Sequence, residues 1–521
     1  MGYIASRAAG LAMAGLGLAL AAPGLAQEAR FDVLAFQVKG NRLLPPDAVE
    51  RVVYPYMGPG RTADDIEAAR AALQKAYEDA GFIAVSVFIP EQGVESGVLL
   101  LEVSEQTIGK VEVTGTKSPE KILAKAKSLE AGKTPNLPEF QKDVVALNQT
   151  ASRRVTPELK AGEAPGTLDV VLTVEETSPF SASVEVNNFA SASTSEYRTS
   201  LTVGHDNLWG AGHSVNLSAQ TAPERADDGT VYSINYMMPL GAGTQLLGYY
   251  VRSDSDIAIV GGMSVVGRGN MGGVRLIRSL GSRDGFYHSL TAGIDWKDFE
   301  ETVTLGSDRT GAPIEYYPLS LSWRGDWTGE HRSQNLSITS VMGVRGLGSS
   351  AAAFDYKRYN ARPSFLVLKA EAERTDEVGA NLQMNLRLSG QWSADPLISN
   401  EQFSLGGMSS VRGYFESEAM GDYGAAMQAE LRSPRLWTSI GAIDEFRVHG
   451  FWDAGFAGIH DPLTFPTRQK DSYLLMSAGI GARIRLLKHL NGDVDVGAPL
   501  ITEEGSKTDS VFLRFRIWGE F

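Results

Sequence analysis

From Phe180 to Phe521, apolar and polar residues alternate in runs of about ten separated by turn residues, and no segment reads as a convincing helix. Alternation places every second side chain on one face of a strand, so each run offers one apolar face and one polar face. Sixteen such runs centre on residues 185, 202, 217, 234, 249, 273, 294, 320, 339, 364, 387, 428, 452, 479, 496 and 514. Roughly 21 residues per run and connection is ample for a tilted strand crossing a bilayer. A soluble β-sandwich is the competing architecture, but an even number of long runs favours a closed barrel. The expectation is an all-β transmembrane barrel of 16 antiparallel strands over residues 180–521. In the last run, Val511, Leu513, Phe515 and Ile517 are apolar, whereas Arg514 and Arg516 alternate with them. Odd positions therefore face lipid and even positions the lumen. The terminal Phe521 falls on the lipid face at the membrane boundary, where it is expected to serve as a C-terminal assembly signal.

The chain has 521 residues, no cysteine and a net charge of −14. Without cysteine there are no disulfides, thiolate metal sites or catalytic thiols. The negative charge argues against a nucleic-acid partner, whose phosphates it repels. Residues 1–26 read as a secretory signal peptide: Arg7 supplies the basic start, Leu11 to Ala22 the apolar segment, and Pro23 to Ala26 the small-residue cleavage site. That apolar segment is shorter than the ~20 residues of a membrane helix.

All eight tryptophans lie after residue 180, and the texture changes at Ser178-Pro179. Before that boundary the chain reads as two small α/β modules in tandem, 31–106 and 107–178. In the first, Leu34 to Lys39 is a strand and Asp47 to Tyr54 a short helix. Thr62 to Asp65 resembles a capping box that opens a longer helix with Ile66, Ala69, Leu73 and Tyr77 on its apolar stripe, stopped by Gly81. Strands at Phe82 to Ile89 and Val98 to Val103 complete a β-α-α-β-β unit. The second module repeats it more weakly, with Lys110 to Gly115 matching Phe36 to Gly40. Its helices are expected at Pro119 to Leu129 and Leu137 to Thr150, its strands at Arg154 to Leu159 and Thr167 to Val174.

Within the barrel region, Phe403 to Tyr414 reads FSLGGMSSVRGY and places one arginine in a glycine- and serine-rich loop. An ionisable residue at membrane depth calls for a water-filled cavity or a charged partner. The alternation of the thirteenth run, Glu445 to Phe456, puts Phe446, Val448, Trp452 and Phe456 toward lipid and Asp453 in the lumen. Phe451 also faces inward, which an aromatic on a wet wall does only if something packs on it. If the loop between strands eleven and twelve, about 397–420, turns inward, Arg412 can reach Asp453 in a bidentate geometry that lysine cannot reproduce. Such a pair is expected to specify a conformation more than to stabilise the barrel, because desolvation cancels much of its Coulomb gain.

FSLGGMSSVRGY followed by the FWDAG of Phe451, Trp452, Asp453, Ala454 and Gly455 resembles the paired signature of the outer-membrane transporters of two-partner secretion, the exporters of haemolysins and filamentous adhesins. The element Val411, Arg412, Gly413 and Tyr414 is also shared with the wider superfamily of barrel-assembly factors. The resemblance covers nearly the whole mature chain. It implies two periplasmic polypeptide-transport-associated (POTRA) modules ahead of the barrel, and an outer-membrane pore of a Gram-negative bacterium that exports an unfolded, large, β-helical exoprotein. Insertion of other outer-membrane barrels is the alternative function, although assembly factors usually carry more modules. Other partners implied are outer-membrane lipids, periplasmic chaperones and the barrel-assembly machinery. Family members often have an N-terminal plug helix, but here the first module follows Gln27 closely, so the inward loop is expected to be the one evident obstruction of the lumen.

Docking of the exported chain has two candidate places. The edge strand carrying Phe82, Ala84, Ser86 and Phe88 can accept an extended segment through main-chain hydrogen bonds. An apolar groove beside Ile66, Leu73 and Tyr77 is the other, with core packing as the competing role for each residue. No enzyme or cofactor is expected. Gly267 to Gly272 matches GxGxxG but continues as a strand, and the seven histidines lack HExxH spacing.

Overall fold

The structure is a computed structural model that describes residues 30–521, except residues 149, 151, 227–228, 242, 256, 261–262, 284, 301, 306–307, 380, 438, 465–468, 503–507 and 509, and the side chains of 257–260, 263–266, 283, 302–305 and 308–310. The signal-peptide reading at 1–26 lies outside the described residues. Two compact units are present. One is built around residues up to Glu112 with Ser128–Phe140 and Leu159–Val170, and the other holds the barrel.

In the first module, strand Ala35–Lys39 runs parallel to Val98–Glu105, which pairs antiparallel with Val85–Phe88. Helices Pro46–Val53 and Ala63–Asp79 supply the other layer. The capping box is formed, with the Thr62 hydroxyl accepting from the Asp65 N–H and the Asp65 carboxylate accepting from the Thr62 N–H. Those contacts hold the half-buried Asp65 carboxyl below its ordinary range, the backbone bond being the largest cause. A two-stranded ribbon, Phe31–Val33 with Gly58–Arg61, is an addition that no β-propensity in Gly58-Pro59-Gly60-Arg61 announces. Within residues 107–178, helix Pro119–Leu123 ends six residues before the expected Leu129, and Leu137–Leu147 forms as a helix.

The barrel closes through sixteen antiparallel strands. They span Phe180–Asn187, Arg198–Leu208, His213–Thr221, Val231–Gly241, Thr244–Ser253, Gly269–Arg283, Phe286–Phe299, Leu319–Thr328, Arg332–Met342, Leu366–Val378, Leu382–Ser393, Tyr423–Arg432, Ile443–Gly458, Ser472–Leu486, Leu490–Pro499 and Phe512–Glu520. Ile314–Tyr316 extends the eighth strand along the seventh. Closure pairs the last strand with the first, Arg516 opposite Asn187 and Glu520 opposite Ser183, which leaves no open edge.

Two expectations are corrected here. The tenth strand is Leu366–Val378 and not centred on 364, because the apolar cluster Phe365 to Leu368 marks its start and its remainder is rich in charge. A helix also exists within the barrel region, Ala351–Lys357, where the Ser350 hydroxyl accepts from the Ala353 N–H at 3.3 Å. Its Phe354 is buried in an apolar cluster with Val251, Met271, Phe299, Tyr316 and Phe365, so the inward loop is not the only segment over the lumen.

Candidate functional site

The inward loop is a folded-in hairpin. Phe403–Leu405 pairs with Ala419–Gly421, and the turn between them is tied by Gly407 N–H to Val411 O at 3.1 Å and by Gly406 N–H to the Ser410 hydroxyl at 2.8 Å. Leu405, Val411 and Tyr414 are fully buried with Ala426, Ala457 and Leu475 of the barrel wall. Gly413 has φ +90°, a backbone state that other residues adopt only under strain, and it lies against Gly497 of the fifteenth strand.

This geometry delivers Arg412 to a set of carboxylates. Its Nε and Nη2 donate to Asp453 Oδ2 and Oδ1 at 2.8 and 3.0 Å, and its backbone N–H donates to Asp453 Oδ2 at 3.0 Å. Nη1 donates to Glu430 Oε2 at 2.7 Å and lies 3.6 Å from Asp495. The guanidinium sits 3.8 Å above the centre of the Phe451 ring, which makes Phe451 a floor for the cation. Arg412 retains 4% of its surface and Asp453 none, so these are desolvated charges whose bonding must replace water.

Cross-strand register explains why the network fits. Glu430 is opposite Phe451, Phe451 opposite Gly479, and Gly481 opposite Asp495. A side chain at Gly479 would collide with Phe451, and one at Gly481 with His449 and Asp495. Those glycines open the floor on which His449 Nε2 reaches Asp495 Oδ1 at 2.6 Å across the fourteenth strand. Gly455, expected beside Asp453, makes room for Leu405 of the loop. Around this core, Glu430 also accepts from Arg432 and Arg483. Arg514, on the lumen face of the last strand, donates to the carbonyls of Tyr414 at 2.5 Å and Asn188 at 2.9 Å and lies 3.6 Å from Glu416. The Tyr414 hydroxyl lies 2.8 Å from Met476 O and 2.5 Å from Ile501 O.

Arg412, Asp453 and Phe451 are thus brought together, joined by Glu430, Asp495 and His449, which the loop-and-strand pairing does not include, while Arg514 takes the lumen position that alternation gives it. The same parity rule would have found Glu430 and Asp495, which occupy lumen positions in their strands. Among the described residues one trio, His449, Asp493 and Asp495, has ligand-type atoms within 4.8 Å of one another. Asp493 is held by Arg483 at 3.0 Å and Asp495 faces Arg412, so cations already occupy the positions a metal's charge would take. Phe521 is 73% exposed, on the outward face of the barrel.

The docking residues need correction. Ile66, Leu73 and Tyr77 are 5%, 0% and 0% exposed and form the core of the first module, so no groove is open beside them. Burial pushes the Tyr77 phenol upward, with Glu105 adding to the effect, and keeps it neutral. The edge strand is shorter than expected, Val85–Phe88. Ala84 is buried and Phe82 packs against the core, while Ser86 is half-buried and Phe88 exposed. The open side of this edge is already engaged, since the Gln74 amide donates to Val85 O and accepts from Val87 N–H, both at 3.0 Å. One side chain from the helix therefore imitates a neighbouring strand.

The profile of the haemolysin secretion/activation protein ShlB/FhaC/HecB family matches residues 166–297 and 316–484, and that of the ShlB-type POTRA domain matches residues 31–106. The outer membrane transporter CdiB of Dickeya dadantii is 26% identical over 468 residues, covering 85% of this chain and 78% of the relative. The solved structure of CdiB from Escherichia coli superposes with a TM-score of 0.73 at 21% identity, over 96% of this chain and 92% of that one. BamA from Haemophilus ducreyi, lacking POTRA domains 1–3, gives 0.53 at 12% identity over 95% of this chain and 100% of that one. With an even-stranded closed barrel, a POTRA module before it and a matched family profile over more than half its length, the chain belongs to the haemolysin secretion/activation protein ShlB/FhaC/HecB family and is an outer-membrane transporter of two-partner secretion.

Proposed function

We propose that this transporter exports one large, β-helical exoprotein in an unfolded state, and that the Arg412 network is the anchor that holds the inward loop during the cycle. The observation that supports this reading is the bidentate Arg412–Asp453 pair with a third bond from the loop backbone, which fixes the loop to the wall through one carboxylate. The exoprotein docks on the first module along Val85–Phe88, displacing the Gln74 amide and packing on exposed Phe88. Residues 107–178 act as the second module. Folding of the exoprotein outside drives threading. Periplasmic chaperones deliver the nascent transporter to the barrel-assembly machinery, which reads Phe521.

The test is Arg412→Ala, assayed for exoprotein in the medium and for folded barrel in the outer membrane by heat-modifiable mobility. The expected result is a folded barrel with export lowered by about tenfold or more, since removing one partner of a buried pair leaves the other charge uncompensated. Unimpaired export in that variant contradicts the anchor role. Deletion of the whole chain is expected to deplete a single exoprotein; a joint loss of many outer-membrane proteins would instead indicate insertion of barrels.

A further inference from the structure

Opposite the Arg412 network, the lumen holds a cavity of about 630 Å³ lined by the fourth to tenth strands and by Glu401 of the inward loop. It shares no lining residue with the Arg412 cluster. Much of its wall is uncharged and small: Thr291, Ser320, Ser322, Ser337 and Thr339 all point inward. Four of its six charged residues are paired, Arg275 with Asp295 at 2.5 Å and Lys297 with Glu401 at 2.5 Å, and the other two, Lys369 and Glu371, are of opposite sign. Hydroxyls both donate and accept, so such a wall can solvate the main chain of any sequence without holding it.

The outer end of this cavity is covered. Met271, Tyr249 and Val341 pass from its lining into the apolar cluster centred on Phe354. Phe354 meets Tyr316 edge-on at 5.7 Å, and the Tyr316 hydroxyl lies 2.7 Å from Glu401. The segment bearing Phe354, residues 343–365, leaves the ninth strand and enters the tenth. On the way it attaches to the connection after the thirteenth strand, where Arg358 Nη2 donates to His460 O at 2.7 Å and Asn360 Nδ2 to Asp461 Oδ2 at 2.9 Å. Because the cluster also includes Val231 of the fourth strand, this strap joins opposite sides of the mouth.

We infer that the exported chain crosses the barrel as an extended segment along the hydroxyl-lined wall, and that residues 343–365 are a strap closing the outer end of that path. The inference rests on the export reading above. An extended, sequence-varied polypeptide is the occupant that suits it, because the wall offers neutral hydrogen-bonding groups and no unpaired cluster of one sign. Opening then requires Phe354 and Arg358 to leave their contacts while Arg412 keeps Asp453.

The chain has no cysteine, so introduced thiols report without background. Thr339→Cys is placed in the full-length protein in outer membranes and labelled from outside with a membrane-impermeant maleimide, with and without the pair Phe354→Ala and Arg358→Ala. Labelling is expected to be about tenfold faster in the strap variant, as access controls thiol reaction. Gln428→Cys, whose position lies under the inward loop, is expected to keep its rate. An unchanged rate at Thr339→Cys, or equal acceleration at Gln428→Cys, overturns the inference. Asn360→Cys with Asp461→Cys provides a second variant that retains Phe354 and Arg358. Oxidation is expected to abolish its open events in planar bilayers and a reductant to restore them; conductance indifferent to oxidation overturns the strap. Neither experiment uses exoprotein, so their failure leaves the export reading intact, whereas lost export with normal labelling would bear on that reading alone.

Discussion

The two inner walls of the barrel solve opposite problems with the same backbone. On the twelfth to sixteenth strands, lumen positions carry Glu430, Asp453, His449, Asp495 and Arg514, and glycines between them let large groups meet across a strand. On the seventh to ninth strands the corresponding positions carry Thr291, Ser320, Ser322, Ser337 and Thr339. The first wall spends its polarity on itself and on Arg412, which leaves little for anything in transit. The second has short side chains whose bonds are easily exchanged. Charge with glycine makes an anchor, and hydroxyls make a passage.

The contrast would break most plainly at Asp453. Asp453→Ala leaves the buried Arg412 guanidinium with Glu430 as its nearest carboxylate, and barrel stability in detergent is expected to fall by about 3–5 kcal/mol. A loss no larger than that of a surface substitution would mean that the wall does not depend on the pair. Gly479→Val probes the floor. Its side chain meets Phe451, so a smaller loss of about 1–3 kcal/mol is expected in the same unfolding assay, together with easier release of the loop to protease. The hydroxyl wall should hardly respond. Ser322→Ala with Thr339→Val removes both members of a 2.8 Å hydrogen bond and is expected to change stability by about 0.5 kcal/mol or less, because no buried group is orphaned. A large loss there would show that the second wall is also an anchor.

Much of this was legible in the sequence because lipid and lumen impose a period of two. Alternation in the thirteenth run located Asp453 and Phe451, and the last run placed Arg514 inward, where it is 1% exposed. Glu430 and Asp495 obey the same rule. Other features carry no periodic signal. Helix Ala351–Lys357 is seven residues long, too short to show a repeat, and its reason to exist is the packing of Phe354 on Tyr316. Where apolar residues run together, as at Phe365 to Leu368, alternation cannot fix a strand's start. In the first module the stripe Ile66, Leu73 and Tyr77 is one helical face, but a buried face and a docking face have the same spacing. Only packing separates them. The Gln74 bridge to Val85 and Val87 depends on a helix and a strand meeting in space, which spacing alone does not encode.

The central claim is that Arg412 and Asp453 act on each other and that their contact fixes the inward loop. A double-mutant cycle on Arg412→Ala and Asp453→Ala, read by unfolding of the full-length barrel, measures that contact with the rest of the wall held constant. A coupling of about 2–3 kcal/mol is expected for a buried, bidentate pair in one network. A coupling near zero, with normal single-channel conductance in each single variant, would contradict the claim.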